Sequence, residues 1–141
     1  MRDLMNTIHP IRAVSPTAAT TDNTAYVSQI IDRQGYNSLT FVIATGALAD
    51  TDATFAVLIE DGDASDLSDA AAVADEELVG TEALAGFTYA DDNETRKIGY
   101  VGSKRYVRLT ITPSNNSGSV YLAAIAILGH PDQRPTDNPP V

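Results

Sequence analysis

Four stretches of the chain alternate their side chains with a period of two, and this alternation constrains the fold more than any other feature. The four runs are residues 38–44, 53–59, 105–112 and 119–128. In the first run Leu39, Phe41 and Ile43 share one face. Successive side chains of a β-strand point to opposite sides, so each run predicts a strand with one face toward a core. The last run, GSVYLAAIAILG, is apolar on both faces and is typical of a central strand covered on both sides.

Weaker signals complete the prediction of the fold. Further strand patterns occupy residues 26–32, 86–89 and 97–101. Turn-forming residues separate the strand runs at lengths that suit hairpins, at 33–37, 101–104 and 113–118. Only residues 65–78 look helical, with Ser and Asp N-cap candidates, three central alanines and Gly80 beyond the end. We therefore expect an all-β chain, a β-sandwich of jelly-roll or immunoglobulin-like type, with one short helix near residues 66–76.

The two ends differ from the middle of the chain. Residues 1–24 show neither strand nor helix periodicity and carry Pro10 and Pro16, and the last twelve residues contain four prolines. Proline fixes φ and removes an N–H donor, so these ends favour extended arms over helices or central strands. We predict an N-terminal arm over 1–24, one sandwich domain over 25–130 and a C-terminal tail over 131–141. The arms are either frayed termini or segments that become ordered across a partner.

Composition excludes several classes of function. The 141 residues include no Cys, which rules out a disulfide framework, a thiolate nucleophile and Cys-ligated metals. A formal net charge of −10 opposes nucleic-acid binding, because phosphate contacts depend on concentrated Lys and Arg. The start lacks an apolar core of signal-peptide length, and no apolar run approaches the roughly 18 residues of a membrane span. We expect no nucleic-acid partner and no membrane partner.

The segment 60–69, EDGDASDLSD, is the densest cluster of acids, with five carboxylates in ten residues. An EF-hand calcium loop needs acids at positions 1, 3 and 5, Gly at 6 and Glu at 12. Counted from Asp61, position 6 is Asp66 and position 12 is Ala72, so the template fails. The alternatives are an irregular calcium site and a solvated turn whose acids cap the helix that follows. We favour the turn and expect no required metal.

Charge is divided along the chain. Residues 50–94 hold fourteen of the nineteen acids and no Lys or Arg, whereas residues 95–130 hold five bases and no acid. If the two blocks lie on different surfaces, the molecule is bipolar and suited to neighbours with opposite patches. If the blocks pair within one fold, they only solubilise it.

No catalytic constellation emerges from the remaining polar residues. His9 and His130 each precede a proline, and no G-x-S-x-G nucleophile elbow or phosphate-binding loop occurs. Acid/base catalysis by a carboxylate pair needs a cleft that raises one pKa, whereas these acids lie in loop-like sequence. A sugar-binding sandwich presents aromatic platforms, but the chain has no Trp, and most of its Tyr and Phe fall on strand positions. We expect no enzyme activity and no cofactor.

The order of segments resembles a known family. The strand entry GYNSLTFVI, the strand exit VLIEDGD-S, the segment Y-G-KRYVRLTIT and the closing apolar strand are similar to jelly-roll cement or decoration proteins of tailed-bacteriophage capsids. The similarity covers about residues 26–131. It implies a structural protein without activity of its own, located on the outer surface of the virion after assembly in the host bacterial cytoplasm. Its implied partners are the major capsid protein and further copies of itself, a dimer being favoured over a trimer.

This resemblance, the arms and the charge split together suggest an interface. The candidate interface residues are Ile8, Ile11, Arg12, Val14, Arg96, Lys97, Lys104, Arg105, Arg108, His130 and Arg134. The alternatives are a carbohydrate- or cell-wall-binding β-sandwich, which would expose a row of aromatic side chains, and another structural subunit of a phage head or tail.

Overall fold

A computed structural model describes residues 3–140, which form two antiparallel β-sheets packed face to face. The strands are β1 (Ile8–Val14), β2 (Tyr26–Val27), β3 (Ile31–Asp32), β4 (Tyr36–Leu48), β5 (Thr54–Gly62), β6 (Ala71–Ala72), β7 (Leu78–Val79), β8 (Phe87–Thr88), β9 (Thr95–Tyr100), β10 (Tyr106–Ser114) and β11 (Val120–Pro131). A single α-helix, α1 (Glu82–Ala85), and 3₁₀ turns at Met5–Thr7, Asp75–Glu77 and Tyr89–Asp91 complete the described chain. The predicted all-β sandwich with one short helix is confirmed.

The strand order is that of a jelly roll. Sheet A has the order β1-β11-β4-β9-β7, and sheet B has the order β2-β10-β5-β6, with β3 also on β10 and β8 also on β5. The short strands β2 and β3 share one position beside β10, and β6 and β8 share one position beside β5. We number the eight strand positions in chain order, counting β2 with β3 and β6 with β8 as one position each and leaving β7 out. Sheet A then has the order 1-8-3-6, and sheet B has the order 2-7-4-5. Strand β7 extends sheet A beyond position 6. The chain therefore changes sheet at every connection between these positions except the one from position 4 to position 5, as in a double Greek key.

The core lies between the sheets and comes from the inward half of each alternating run. Phe41 and Ile43 on β4 face Leu109 and Ile111 on β10, and all four are fully buried. Each such side chain contributes about 1.5–3 kcal/mol by leaving water. The four strong runs of the sequence thus form β4, β5, β10 and β11, and the weaker runs form β2, β3, β8 and β9.

The predicted hairpins at 33–37, 101–104 and 113–118 are wrong. Each of these segments joins a strand of one sheet to a strand of the other: β3 to β4, β9 to β10, and β10 to β11. A short connection across the edge of a sandwich needs the same turn residues as a hairpin, so the local sequence does not distinguish them. The clearest hairpin connection is instead residues 63–70, which join β5 to β6.

The predicted helix near 66–76 is also wrong. Asp66 accepts a hydrogen bond from the Ser68 N–H, Leu67 has a left-handed backbone with φ of 52°, and Ala71–Ala72 pair with β5. Asp and Ser side chains offer the backbone such local bonds in place of helical ones. The α-helix lies further along the chain, where the Thr81 side chain caps it by accepting from the Leu84 N–H.

The predicted N-terminal arm contains the first strand of the jelly roll. Strand β1 pairs with β11, and Ala13 and Val14 are buried in the core, so residues 8–14 belong to the sandwich. A β-bulge between Arg12 and Val14 interrupts the period of two, so the sequence pattern did not predict this strand. Pro10 is tolerated because β1 is an edge strand.

The C-terminal tail lies against the same edge. The Thr136 hydroxyl donates to the Ile8 carbonyl over 2.7 Å, and the Thr136 N–H donates to the Asn6 carbonyl over 3.2 Å. The two ends of the described chain thus contact each other in a single copy. No helix within residues 3–140 has the length and apolar character that crossing a bilayer requires.

Candidate binding surface

The outward side of sheet A, called here the outer face of sheet A, receives no acidic residue from its own strands. The five strands of this sheet contain no Asp or Glu, although the whole chain carries nineteen. The sequence predicted that β11 would be covered on both sides, but only its inward side is covered. Ile125 on its outward side is 46% exposed, and Tyr121 is 50% exposed. An acidic protein therefore presents one apolar sheet face to solvent.

The strand register aligns these outward side chains in rows across the sheet. Directly opposed residues on all five strands make the row Pro10, Ile127, Thr40, Gly99 and Val79. Four strand spacings of about 4.8 Å make this row about 19 Å long. With the two parallel rows beside it, this part of the sheet covers on the order of 400 Å², within the range of about 300–600 Å² for the largest patch on a monomer, which is often functional.

The second row carries a cation at each end. Arg12, Ile125, Val42 and Lys97 oppose one another across β1, β11, β4 and β9. Arg12 donates to the Ser15 hydroxyl, and neither Arg12 nor Lys97 forms an ion pair with any residue in the described part of the chain. The row is thus apolar at its centre and positive at both ends.

Four further bases of the candidate interface, Arg134 not among them, are paired within the fold. The ion pairs are Arg96 with Asp91 and Glu94, Lys104 with Asp63, Arg105 with Asp32, and Arg108 with Glu60. Hydrogen bonds to Arg105 lower the pKa of the Asp32 carboxyl. The acidic block and the basic block therefore meet in one molecule, as the second of the two charge hypotheses states. An interface role for these four bases stays a prediction.

The remaining candidates divide between core and surface. Val14 is buried and Ile11 packs against the core, so both support the fold. Ile8 is half-buried on the outward side beside Pro10, His130 is exposed with its ring Nδ1 2.9 Å from the Ser38 hydroxyl, and Arg134 is exposed in the tail. Ile8, Arg12 and Lys97 are thus the predicted residues that lie on the outer face of sheet A.

The acidic segment 60–69 is held in a loop by hydrogen bonds between one of its side chains and its own backbone. The Asp69 carboxylate accepts from the N–H groups of Asp63 and Ala64, which lowers the pKa of Asp69. A Cβ added at Gly62 would collide with that carboxylate, so this position requires glycine. Within residues 3–140 no three His, Asp or Glu side chains converge as metal ligands would. The geometry is that of a hairpin loop closed by an aspartate.

A buried polar cluster joins the two sheets, and no local sequence pattern predicted it. Tyr100 on β9 donates from its hydroxyl to the Asp61 carboxylate on β5 over 2.6 Å and accepts from the Lys104 N–H over 3.0 Å. The Arg33 guanidinium lies over the Tyr100 ring and donates to the carbonyls of Gly102 and Lys104. Burial, and then the hydrogen bond to Asp61, raise the pKa of Tyr100. Because Tyr100 is 1% exposed, the cluster stabilises the fold and offers no substrate access.

Comparison with known proteins shows the fold. No protein-family model matches the sequence, and the search of curated proteins found no match. Among solved structures, the chain is similar to the PBSX exported protein XepA, with 16% identity and a TM-score of 0.56, over 100% of this chain and 44% of that one. The chain thus spans less than half the length of XepA.

Two further solved structures show weaker likeness. One is the xylan-binding module CBM15, with 10% identity and a TM-score of 0.42, over 94% of this chain and 96% of that one. The other is the capsid of Ralstonia phage GP4, with 11% identity and a TM-score of 0.48, over 92% of this chain and 88% of that one. At such identities, the likeness to XepA shows a shared β-sandwich and nothing about activity.

Proposed function

We propose that this chain is a structural virion protein that binds the outer surface of a bacteriophage capsid and bridges neighbouring major capsid subunits. The observation that carries the proposal is the outer face of sheet A, an apolar surface whose strands contain no acid, on a protein with a net charge of −10. Patches of this kind mark interaction surfaces, because exposing apolar area to water brings no benefit to a monomer. The resemblance of the strand sequences to capsid cement proteins supports a capsid as the partner.

The shape of the surface fits a clamp better than an enzyme. Catalysis needs a concave site with a few converging polar groups, whereas this face is a broad sheet surface of small and branched side chains such as Ala44, Ala123 and Val42. A patch of about 400 Å² is half of a standard interface side of about 800 Å². A repeated shell compensates for a modest contact per copy, since several contacts hold each bridge at once.

The proposal also includes self-association, with a dimer favoured over a trimer, and assembly onto the shell in the host cytoplasm. Cementing in this sense means that the shell with bound protein resists heat better than the bare shell, because a ligand that binds only the folded assembly stabilises it.

The test is co-sedimentation with empty, expanded capsids that were assembled without this chain. Ile125→Gln should reduce binding at least tenfold, because it places an amide at the centre of the apolar patch. Val27→Gln is the matched control, since Val27 is a comparably exposed aliphatic residue on sheet B. Equal binding by the two variants would overturn the use of sheet A, and a wild-type protein that binds no capsid would overturn the function.

The main rival is carbohydrate binding. The exposed tyrosines among the described residues are Tyr89, beside sheet B, and Tyr121, on sheet A, so they form no row on one face. Stacking platforms for sugar rings need such a row. Retarded migration in gels that contain soluble xylan or peptidoglycan fragments, lost on Tyr121→Ala, would favour the rival.

A further inference from the structure

We infer that the outer face of sheet A is built for a partner surface that is apolar at its centre and carries carboxylates on two sides, opposite Arg12 and Lys97. The inference rests on the proposed function, and it specifies which part of the shell the chain meets. It concerns the chemistry of that surface, which the resemblance to cement proteins does not specify.

The bases of the candidate interface differ in whether they have a carboxylate partner. Lys104, Arg105 and Arg108 each have a carboxylate partner in the fold, and Arg96 has two. Arg12 and Lys97 have none among the described residues, although the chain has ten more acids than bases. These two cations stand where the strands of sheet A supply no acid, so a partner that buries this face has to supply their carboxylates.

The distance between Arg12 and Lys97 sets the width of the partner surface. Arg12 and Lys97 are three strand spacings apart, or about 14 Å between backbones, with Ile125 and Val42 between them. The adjacent row runs from Pro10 to Val79 and is apolar apart from Thr40. A partner that buries both rows therefore needs an apolar strip about as wide, with an acid beyond each side.

The edges of sheet A do not offer an alternative mode by strand addition. On the free edge of β1, the Ile8 carbonyl accepts from Thr136, the Arg12 carbonyl accepts from the Gln29 side chain, and Pro10 has no N–H. The opposite edge is β7, which has only two residues. Blocked and short edges disfavour pairing by an extended segment, which leaves the face as the larger contact surface.

A second copy is a poor occupant of the same face. Two copies stacked through sheet A would bring two Arg12 and two Lys97 side chains into one interface, with no carboxylate from either sheet. Each copy also carries a net charge of −10, which opposes approach. Self-association of the chain, where it occurs, should therefore use another surface.

The experiment compares charge reversals that change net charge equally. Lys97→Glu and Arg12→Glu should each raise the Kd for capsids assembled without this chain about tenfold, and should flatten its dependence on salt between about 50 and 300 mM. Lys104→Glu is the matched control, because Lys104 lies off this face and already pairs with exposed Asp63. If the partner contacts only sheet A, the Kd of Lys104→Glu should change less than about threefold, whereas a loss equal to that of Lys97→Glu would overturn the restriction to sheet A and support the predicted interface role of Lys104.

A second probe avoids the capsid. A mixed-mode resin that carries both carboxylate and phenyl groups reproduces the proposed partner chemistry. At pH 7 and low salt the wild-type protein should be retained despite its negative charge, and Lys97→Glu should elute earlier than Lys104→Glu.

The outcomes separate the inference from the proposed function. Capsid binding that both reversals leave unchanged would overturn the inference and keep the function. Retention on the resin that depends on Lys97, without any capsid binding, would overturn the capsid as partner and support the surface chemistry. A dimer seen by sedimentation velocity that Ile125→Gln dissociates would overturn the inference in favour of a second copy.

Discussion

Replacing Tyr100 by Phe should destabilise the protein much more than the loss of one oxygen atom suggests. The Tyr100 hydroxyl is 2.6 Å from the Asp61 carboxylate, and Asp61 is only 7% exposed. Phenylalanine fills the same space in the core but leaves the Asp61 carboxylate and the Lys104 N–H without this partner. A buried charged group that loses its hydrogen bond has little access to water in exchange.

The magnitude follows from the type of bond. A hydrogen bond to a charged group contributes about 1.5–3 kcal/mol, and the unpaired Lys104 N–H adds to that, so we expect a loss of about 2–4 kcal/mol. In a chain of this length, 1 kcal/mol corresponds to roughly 3–4 °C in Tm, which gives a decrease of roughly 6–16 °C.

The free energy that Tyr100 contributes to folding should also depend on pH, in a direction that can be tested separately. Burial raises the pKa of Tyr100 in the folded state above the ordinary tyrosine value of about 10. The folded protein then holds the proton more tightly than the unfolded chain, so this stabilisation is complete below about pH 10 and declines as the pH rises further. The difference in stability between wild type and Tyr100→Phe should therefore shrink above pH 10.

Urea unfolding at pH 7 and at several values above pH 10 measures both effects. Tyr89→Phe is the control, because Tyr89 is exposed and makes no side-chain hydrogen bond within residues 3–140. If Tyr100→Phe lowers the free energy of unfolding at pH 7 no more than Tyr89→Phe does, the hydrogen bond between the sheets does not stabilise the fold.

Three further outcomes are expected. Gly102→Ala should lower Tm in the same direction as Tyr100→Phe, because its Cβ would collide with the Tyr100 hydroxyl, and unchanged melting would contradict that contact. Millimolar calcium should leave Tm unchanged, since the backbone already occupies the Asp69 carboxylate; a rise of several degrees that a chelator reverses would show a cation site. Removing residues 1–14 should cost on the order of 5 kcal/mol, because it deletes β1 with Ala13 and Val14; a truncated protein that melts like the intact one would restore the arm hypothesis.

The sequence alone determined the strands that have a strict period of two. In β10 alternate side chains are buried throughout, and in β4 and β5 the alternation holds over residues 39–45 and 54–61, so local chemistry is sufficient to predict these strands. The same local reading failed for β1, where a bulge and Pro10 disturb the alternation. It also failed for residues 65–78, where the Asp66 and Asp69 carboxylates accept hydrogen bonds from backbone N–H groups and hold a loop in place of a helix.

Tertiary structure decided which polar and apolar groups remain available to a partner. The sequence places Lys97 and Lys104 in one basic block, but only strand register reveals that Lys104 meets Asp63 whereas Lys97 faces outward beside Val42. The sequence likewise shows that β11 is apolar on both sides, but it does not indicate that no other part of the described chain packs over the outward side. Both outcomes depend on contacts between residues far apart in the chain, and such contacts have no local sequence signature.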